Sequence, residues 1–123
     1  MKKVYKSSEK NNAPLSGAIE VNGLIFVSGQ IHVNSDMQLV GNTIAEKLKF
    51  TITNVENILK ESGLGLVNVV NVKLYLTDLT ELKELNEAYG KYFDHPMPTR
   101  TAVEVSKLPL GASLEMDLIA SRA

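Results

Sequence analysis

Residues 18–28 have the sequence AIEVNGLIFVS, and this stretch decides the fold. Two apolar segments, rich in β-branched and aromatic residues, flank the pair Asn22-Gly23. An Asn-Gly pair is typical of a two-residue type I′ turn, because both positions accept positive φ angles. The stretch therefore predicts a β-hairpin, whose second strand ends at Gly29.

Helices and strands alternate downstream of this hairpin. The predicted elements are a loop over 31–42, a helix over 43–62, a strand over 70–77, a helix that starts at 78, and strands over 100–105 and about 113–121. The first helix has the clearest start, since Thr43 and Glu46 form a capping box ahead of an apolar stripe. Pro96 and Pro98 end the second helix, because proline cannot continue one.

The predicted order, ββαβαββ with the option of a further short N-terminal strand, is that of a two-layer α+β domain. We expect a single domain over residues 1–123, with one mixed sheet. Right-handed crossovers place both helices on the same face of that sheet. The other face is then left uncovered, which favours self-association.

The last two strands are expected to pair as a hairpin centred near 108–109. In that pairing one face, directed to the helices, carries Thr101, Val103, Val105, Leu114, Met116 and Leu118. The uncovered face carries Arg100, Ala102, Glu104, Glu115 and Asp117. Arg100 would then lie opposite Asp117, about 5 Å away at Cβ.

Composition restricts the possible functions. The 123 residues carry a formal net charge of -1 and no cysteine. A nucleic-acid partner is therefore not expected, and neither is a disulfide framework or a thiolate metal site. Because no apolar run reaches the roughly 18 residues of a membrane span, we expect no membrane association and a cytoplasmic location.

Arg100 is the most informative single residue. Only Arg100 and Arg122 are arginine, and the other cationic side chains are lysine. A guanidinium at the start of a strand is a forked donor that matches a carboxylate or phosphate in a bidentate manner. The residues that surround Arg100 also belong to a pattern that resembles a known protein family.

The chain resembles the reactive intermediate deaminase family (Rid, YjgF-like), also called the L-PSP endoribonuclease family. The resemblance is carried by segments 27–31, 85–89, 98–103, 108–109 and 115–120. It implies a chorismate-mutase-like fold and a homotrimer with its sites in the clefts between subunits.

The resemblance also implies an activity and the residues that perform it. Family deaminases hydrolyse 2-aminoacrylate and related imino acids to 2-keto acids and ammonia, with no cofactor or metal. By correspondence, Arg100 binds the substrate carboxylate, with help from backbone groups at Gly29 and Ala102. Asp117 positions the attacking water, and Ser28 and Asn86 line or support the cleft.

Two departures from the archetypal family sequence motivate a second hypothesis. Leu15 replaces a tyrosine, and Asp117 replaces a glutamate that is one methylene longer. The alternative is a protein that binds carboxylate metabolites without turnover. A third hypothesis, an RNA-cleaving translation inhibitor, is disfavoured by the charge of -1 and the 6% aromatic content. Structural roles also stay open, among them an ion pair of Arg100 with Asp117 or Glu115. Asn86 sits among the apolar positions of its helix and has an alternative role as the anchor of a loop.

Overall fold

The structure is a computed structural model and describes residues 1–7 and 14–123. Six strands and two helices are present in the described part: β1 Lys3–Ser7, β2 Ser16–Val21, β3 Leu24–Ile31, α1 Ile44–Glu61, β4 Val69–Leu76, α2 Leu82–Tyr89, β5 Thr99–Glu104 and β6 Leu114–Ser121. A short 3-10 turn, Leu79–Glu81, leads into α2. No helix among these residues is long and apolar enough to cross a membrane.

All six strands form one mixed sheet in the order β1-β2-β3-β6-β4-β5. The β4–β5 pair is parallel and every other pair is antiparallel. Both helices pack on the same side of the sheet, where their apolar stripes join one core. The expected two-layer α+β architecture is confirmed, and the optional N-terminal strand is present as β1.

The hairpin predicted at Asn22-Gly23 is confirmed. Asn22 has φ 53° and Gly23 has φ 80°, the positive values that a type I′ turn needs. The second strand does not end at Gly29, however, because β3 continues to Ile31. The pairing of β3 with β6 shifts register between Val27 and Gln30, so the strand passes through a β-bulge at this point.

The start of α1 also follows the sequence. Thr43 is the N-cap residue, its hydroxyl accepts from the Glu46 backbone N–H, and the Glu46 carboxylate accepts from the Thr43 N–H. Replacing such a cap by alanine costs about 1 kcal/mol of stability.

The last two strands do not form the expected hairpin. β4 lies between them and pairs in parallel with β5 and antiparallel with β6. The reason lies in burial. Alternate residues of β6, from Leu114 to Ala120, are at most 1% exposed, and burial of this extent is favoured in the middle of the sheet, under the helices. β5 carries charged side chains and takes the edge, where they remain accessible.

The insertion of β4 reverses the two faces predicted for β5. Arg100 pairs with Val72 and Ala102 with Leu74, and both partners belong to the core on the helical side. Thr101 instead lies beside Lys73 on the uncovered side of the sheet. The expectation that Arg100 faces Asp117 across a hairpin is therefore wrong.

The side of the sheet that the helices leave uncovered, here called the open face, has two chemically distinct halves. A row of paired residues on β1, β2, β3 and β6 is apolar: Val4, Ile19, Phe26 and Ile119. Val4 is 51% exposed and Phe26 is 42% exposed. The half formed by β4, β5 and β6 carries charged and hydroxyl-bearing side chains.

His32, which follows β3, is buried and joins two segments. Its Nδ1 lies 2.9 Å from the carbonyl oxygen of Val40, and its Nε2 accepts the backbone N–H of Ser113 at 3.0 Å. Since a carbonyl can only accept, Nδ1 carries the proton and the ring is neutral. Burial lowers the pKa of His32, and the nearby Lys47 ammonium acts in the same direction.

The contribution of His32 to stability should therefore depend on pH. A lowered pKa means that the folded state favours the neutral ring, so the contribution is full above the ordinary value of 6.5 and is lost as pH falls. We expect the difference in unfolding free energy between wild type and His32→Asn to shrink from about pH 8 to about pH 5. Urea unfolding across this range measures it, with the exposed His95→Gln as control. A difference that stays constant with pH would contradict this account.

Candidate functional site

Arg100 lies on the edge strand β5 and faces α2. Its guanidinium carbon is 4.8 Å from the centre of the Tyr89 ring, and its side chain is half-buried. It forms one wall of a cleft of about 330 Å³. The other residues that line this cleft are Asn86, Tyr89, Gly90, Met97 and Pro98.

No carboxylate of the described residues neutralises Arg100. Arg122 forms an ion pair with Glu20 at 2.8 Å, whereas no acidic side chain within residues 1–7 and 14–123 pairs with Arg100. The structural alternative, an ion pair with Asp117, is therefore not observed. Because a guanidinium has five N–H donors in a fixed fork, Arg100 can receive a planar acid from the cleft.

The backbone of β5 adds further hydrogen-bonding groups at this edge. The N–H of Val105 donates to the Leu76 carbonyl at 2.8 Å, so it points toward β4. Backbone groups alternate in direction along a strand, so those of Ala102 point outward from the sheet. No strand among the described residues covers this edge, because β5 is the last strand of the sheet.

Asn86 reaches the same cleft from α2. Its sequence position suggests a buried amide that anchors a loop, but the residue is exposed and lines the cleft beside Arg100. The buried positions of α2 are Leu85, Ala88 and Tyr89. Asn86 is therefore available as a polar contact for a ligand held by Arg100.

Ser28 and Gly29 occupy the β-bulge of β3, away from this cleft. The Ser28 hydroxyl donates to the Ser16 carbonyl at 2.6 Å and ties β3 to β2. The Glu115 carboxyl group fills the space beside Gly29, where a Cβ would be 2.9 Å from Glu115 Cδ. Any side chain at this position would displace Glu115.

Glu115 is the acidic residue that sequence analysis did not select. Its carboxyl group packs against the bulge, and burial raises its pKa, with the negative charge of Asp117 as a second cause. A carboxyl group with a raised pKa gains its proton more readily than an ordinary one, which suits a group that accepts a proton and then returns it. The sequence signal was Gly29 itself, since a glycine inside a strand marks a bulge or a close approach.

Asp117 has a different environment. Its Oδ2 accepts a hydrogen bond from the Tyr75 hydroxyl at 2.8 Å, and this bond raises the pKa of Tyr75 to about 12. Asp117 pairs across the sheet with Lys73. One carboxylate oxygen of Asp117 therefore already accepts a hydrogen bond from within the chain.

The predicted site residues thus form two groups. Arg100, Ala102 and Asn86 lie together at the edge of the sheet beside α2. The second group lies around the bulge and the open face and contains Ser28, Gly29, Asp117 and the added Glu115. β4 separates the two groups in one chain. Leu15, which replaces the family tyrosine, is 55% exposed.

A family sequence model and individual relatives place this chain in the same protein family. The sequence model of the family described as endoribonuclease L-PSP matches residues 6–122. Protein HMF1 of Saccharomyces cerevisiae is 42% identical over 96% of this chain and 92% of its own length. Reactive Intermediate Deaminase A of Arabidopsis thaliana, a chloroplastic protein, is 36% identical over 98% of this chain and 67% of its own.

Solved structures have the same fold. The crystal structure of Escherichia coli TdcF with bound serine superposes with a TM-score of 0.86 at 27% identity, covering 98% of this chain and 99% of the other. Fold and site together define a mixed-sheet α+β domain with an unneutralised arginine at the sheet edge. The chain belongs to the endoribonuclease L-PSP family, the Rid or YjgF-like family, which includes reactive intermediate deaminases.

The packing of Glu115 on Gly29 can be tested without an activity assay. We expect Gly29→Ala to push the carboxyl group toward solvent and lower the pKa of Glu115 toward its ordinary value of 4.5. Carbon-13 NMR titration of labelled glutamate measures this. Gly65→Ala is the matched control, because a Cβ there meets no atom within 4 Å. An unchanged pKa in Gly29→Ala would refute the packing argument.

Proposed function

We propose that the protein is an enamine/imine deaminase that hydrolyses 2-aminoacrylate-type acids to 2-keto acids and ammonia. An enamine substrate first becomes its imine when one proton moves from the nitrogen to the methylene carbon. Water then adds to the carbon of the C=N bond, the two protons of the water pass to the nitrogen, and the C–N bond breaks to give the 2-keto acid and ammonia. The substrate keeps its carboxylate throughout. The protein therefore needs a carboxylate receptor and a group that moves protons between water and nitrogen.

The observation that carries this proposal is the free guanidinium of Arg100 in its cleft. An unneutralised cation beside apolar walls favours a small acid with a short apolar substituent. Carboxylate is favoured over nucleic-acid phosphate, because the net charge of -1 gives no basic surface. The serine bound to the relative TdcF is also a small carboxylate.

Glu115 is our candidate for the proton-moving group. In its ionised form it accepts a proton from the attacking water, and in its protonated form it gives the proton to the departing nitrogen. Its raised pKa suits both steps. Asp117 is thereby reassigned from the catalytic position to a neighbour whose charge raises the pKa of Glu115.

A second copy of the chain is needed to complete the site. Within one chain Arg100 lies on the helical side of the sheet and Glu115 on the other, so one small molecule cannot touch both. We infer that Arg100 of one subunit meets the Glu115 of another. The exposed apolar half of the open face offers the contact surface, in agreement with the expected homotrimer.

The remaining expectations belong to this proposal. The mechanism uses protein groups and water alone, so it assigns no role to a cofactor or metal. The lack of cysteine fits a reducing compartment such as the cytoplasm. The alternative of binding without turnover is kept, because Leu15 removes one hydroxyl-bearing side chain from the site that the resemblance implies.

Arg100→Ala should abolish acid binding. We expect ammonia release from freshly generated 2-aminoacrylate to fall at least about a hundredfold, because two charge-assisted hydrogen bonds are lost. Calorimetry with 2-ketobutyrate should show the same loss of affinity. Arg122→Ala, at the only other arginine, should keep both properties. Wild-type rates in Arg100→Ala, with the oligomer intact, would rule out the proposal.

Glu115→Gln and Asp117→Asn distinguish the two acids. Glu115→Gln should lower turnover by about 10² to 10⁴ while 2-ketobutyrate still binds. Asp117→Asn should keep most of the turnover. Because this change removes a negative charge that raises the pKa of Glu115, the loss of activity on acidification should occur at lower pH than in the wild type. Rate profiles against pH measure both effects. The reverse ranking would restore Asp117 as the catalytic acid, and binding without turnover in the wild type would identify a binding protein.

A further inference from the structure

Tyr89 has a contact with Arg100 that the proposed chemistry does not yet use. Its side chain is 5% exposed, and one face of its ring lies under the Arg100 guanidinium at 4.8 Å. Phe93 supports the ring, with the two ring centres 4.8 Å apart and tilted by 33°. The ring is therefore held in place by the core.

The Tyr89 hydroxyl does not contribute a stabilising hydrogen bond to the fold. It is buried and has no hydrogen-bond partner among the described residues. A buried hydroxyl without a partner destabilises the folded state relative to an apolar group of the same shape. The favourable contribution of Tyr89 must then come from its ring, through packing and through the cation above it.

Arg100 depends on this ring because no other side chain of the described residues anchors its guanidinium. It forms no ion pair there, and its neighbours in the cleft are mostly apolar. An arginine side chain that has to be ordered when a ligand arrives weakens binding. A cation placed over an aromatic face is already restricted before the ligand binds.

We propose that Tyr89 is a positioning residue for acid binding, whose ring face holds the Arg100 guanidinium at the cleft so that it meets the substrate carboxylate. This inference rests on the proposed function of Arg100 as the acid receptor. It adds that affinity for the acid depends on an aromatic face at position 89 and not on a hydroxyl.

Proton NMR of the wild type, with Tyr89→Phe for comparison, gives the first test. The chain has two arginines, so their side-chain signals can be assigned readily. We expect the δ-protons of Arg100 to be shifted upfield by the ring current, relative to those of Arg122, which is paired with Glu20. Tyr89→Phe should keep this shift. Ordinary shifts for Arg100 in the wild type would overturn the inference.

Binding and kinetics give the second test. Tyr89→Leu should weaken 2-ketobutyrate binding and raise KM about tenfold with little change in kcat, as expected for loss of a cation–π contact in a partly desolvated site. Tyr89→Phe should match the wild type in both and be at least as stable to heat. Ile52→Val, in the same core but on α1 and not in the lining of the Arg100 cleft, is the control for lost packing and should leave KM unchanged.

The outcomes separate this inference from the proposed function. If the wild type binds 2-ketobutyrate, Arg100→Ala does not, and Tyr89→Leu binds as the wild type does, the role of Tyr89 is refuted while Arg100 remains the receptor. If Tyr89→Phe binds as weakly as Tyr89→Leu, the hydroxyl and not the ring is responsible, and the inference is also wrong. If the wild type fails to bind any small 2-keto acid, both fail together.

Discussion

The central position of β6 is the constraint on which the rest of the structure depends. Alternate residues of this strand, from Leu114 to Ala120, are almost completely buried under the helices. The strict alternation of a strand then directs Glu115 and Asp117 to the open face. β6 also separates the bulge-bearing strand β3 from β4, and so determines which side chains can meet the Glu115 carboxyl group.

Local features of the fold were predictable because their causes are local. The Asn22-Gly23 turn and the Thr43 cap depend on residues a few positions apart, and both appear where the sequence predicts them. The strand order was not predictable in this way. Sequential strands often pair, but the parallel β4–α2–β5 crossover takes β5 to the edge, and burial takes β6 to the centre. That rearrangement reversed the predicted face of Arg100.

The site residues also divide into those that the local sequence predicts and those that depend on tertiary contacts. Arg100 could be selected from sequence because it is a rare arginine at the start of a strand, and no acidic side chain in the described part of the chain pairs with its guanidinium. Glu115 and Asp117 could not be ranked, since alternation places both on one face. The two differ only through tertiary contacts: Asp117 accepts from Tyr75, whereas Glu115 packs on the Gly29 bulge. Such contacts join segments that are far apart in sequence.

In the site that we propose, the carboxylate receptor Arg100 and the proton-moving acid Glu115 come from different subunits. Refolding an equal mixture of Arg100→Ala and Glu115→Gln chains tests it most directly, because each variant supplies the residue that the other lacks. Random assembly in a closed ring restores an intact pair at about a quarter of the interfaces, so we predict recovery of about a quarter of the wild-type ammonia release. If the mixed oligomers form and remain as inactive as the two parent variants, both residues act within one chain and the claim is contradicted.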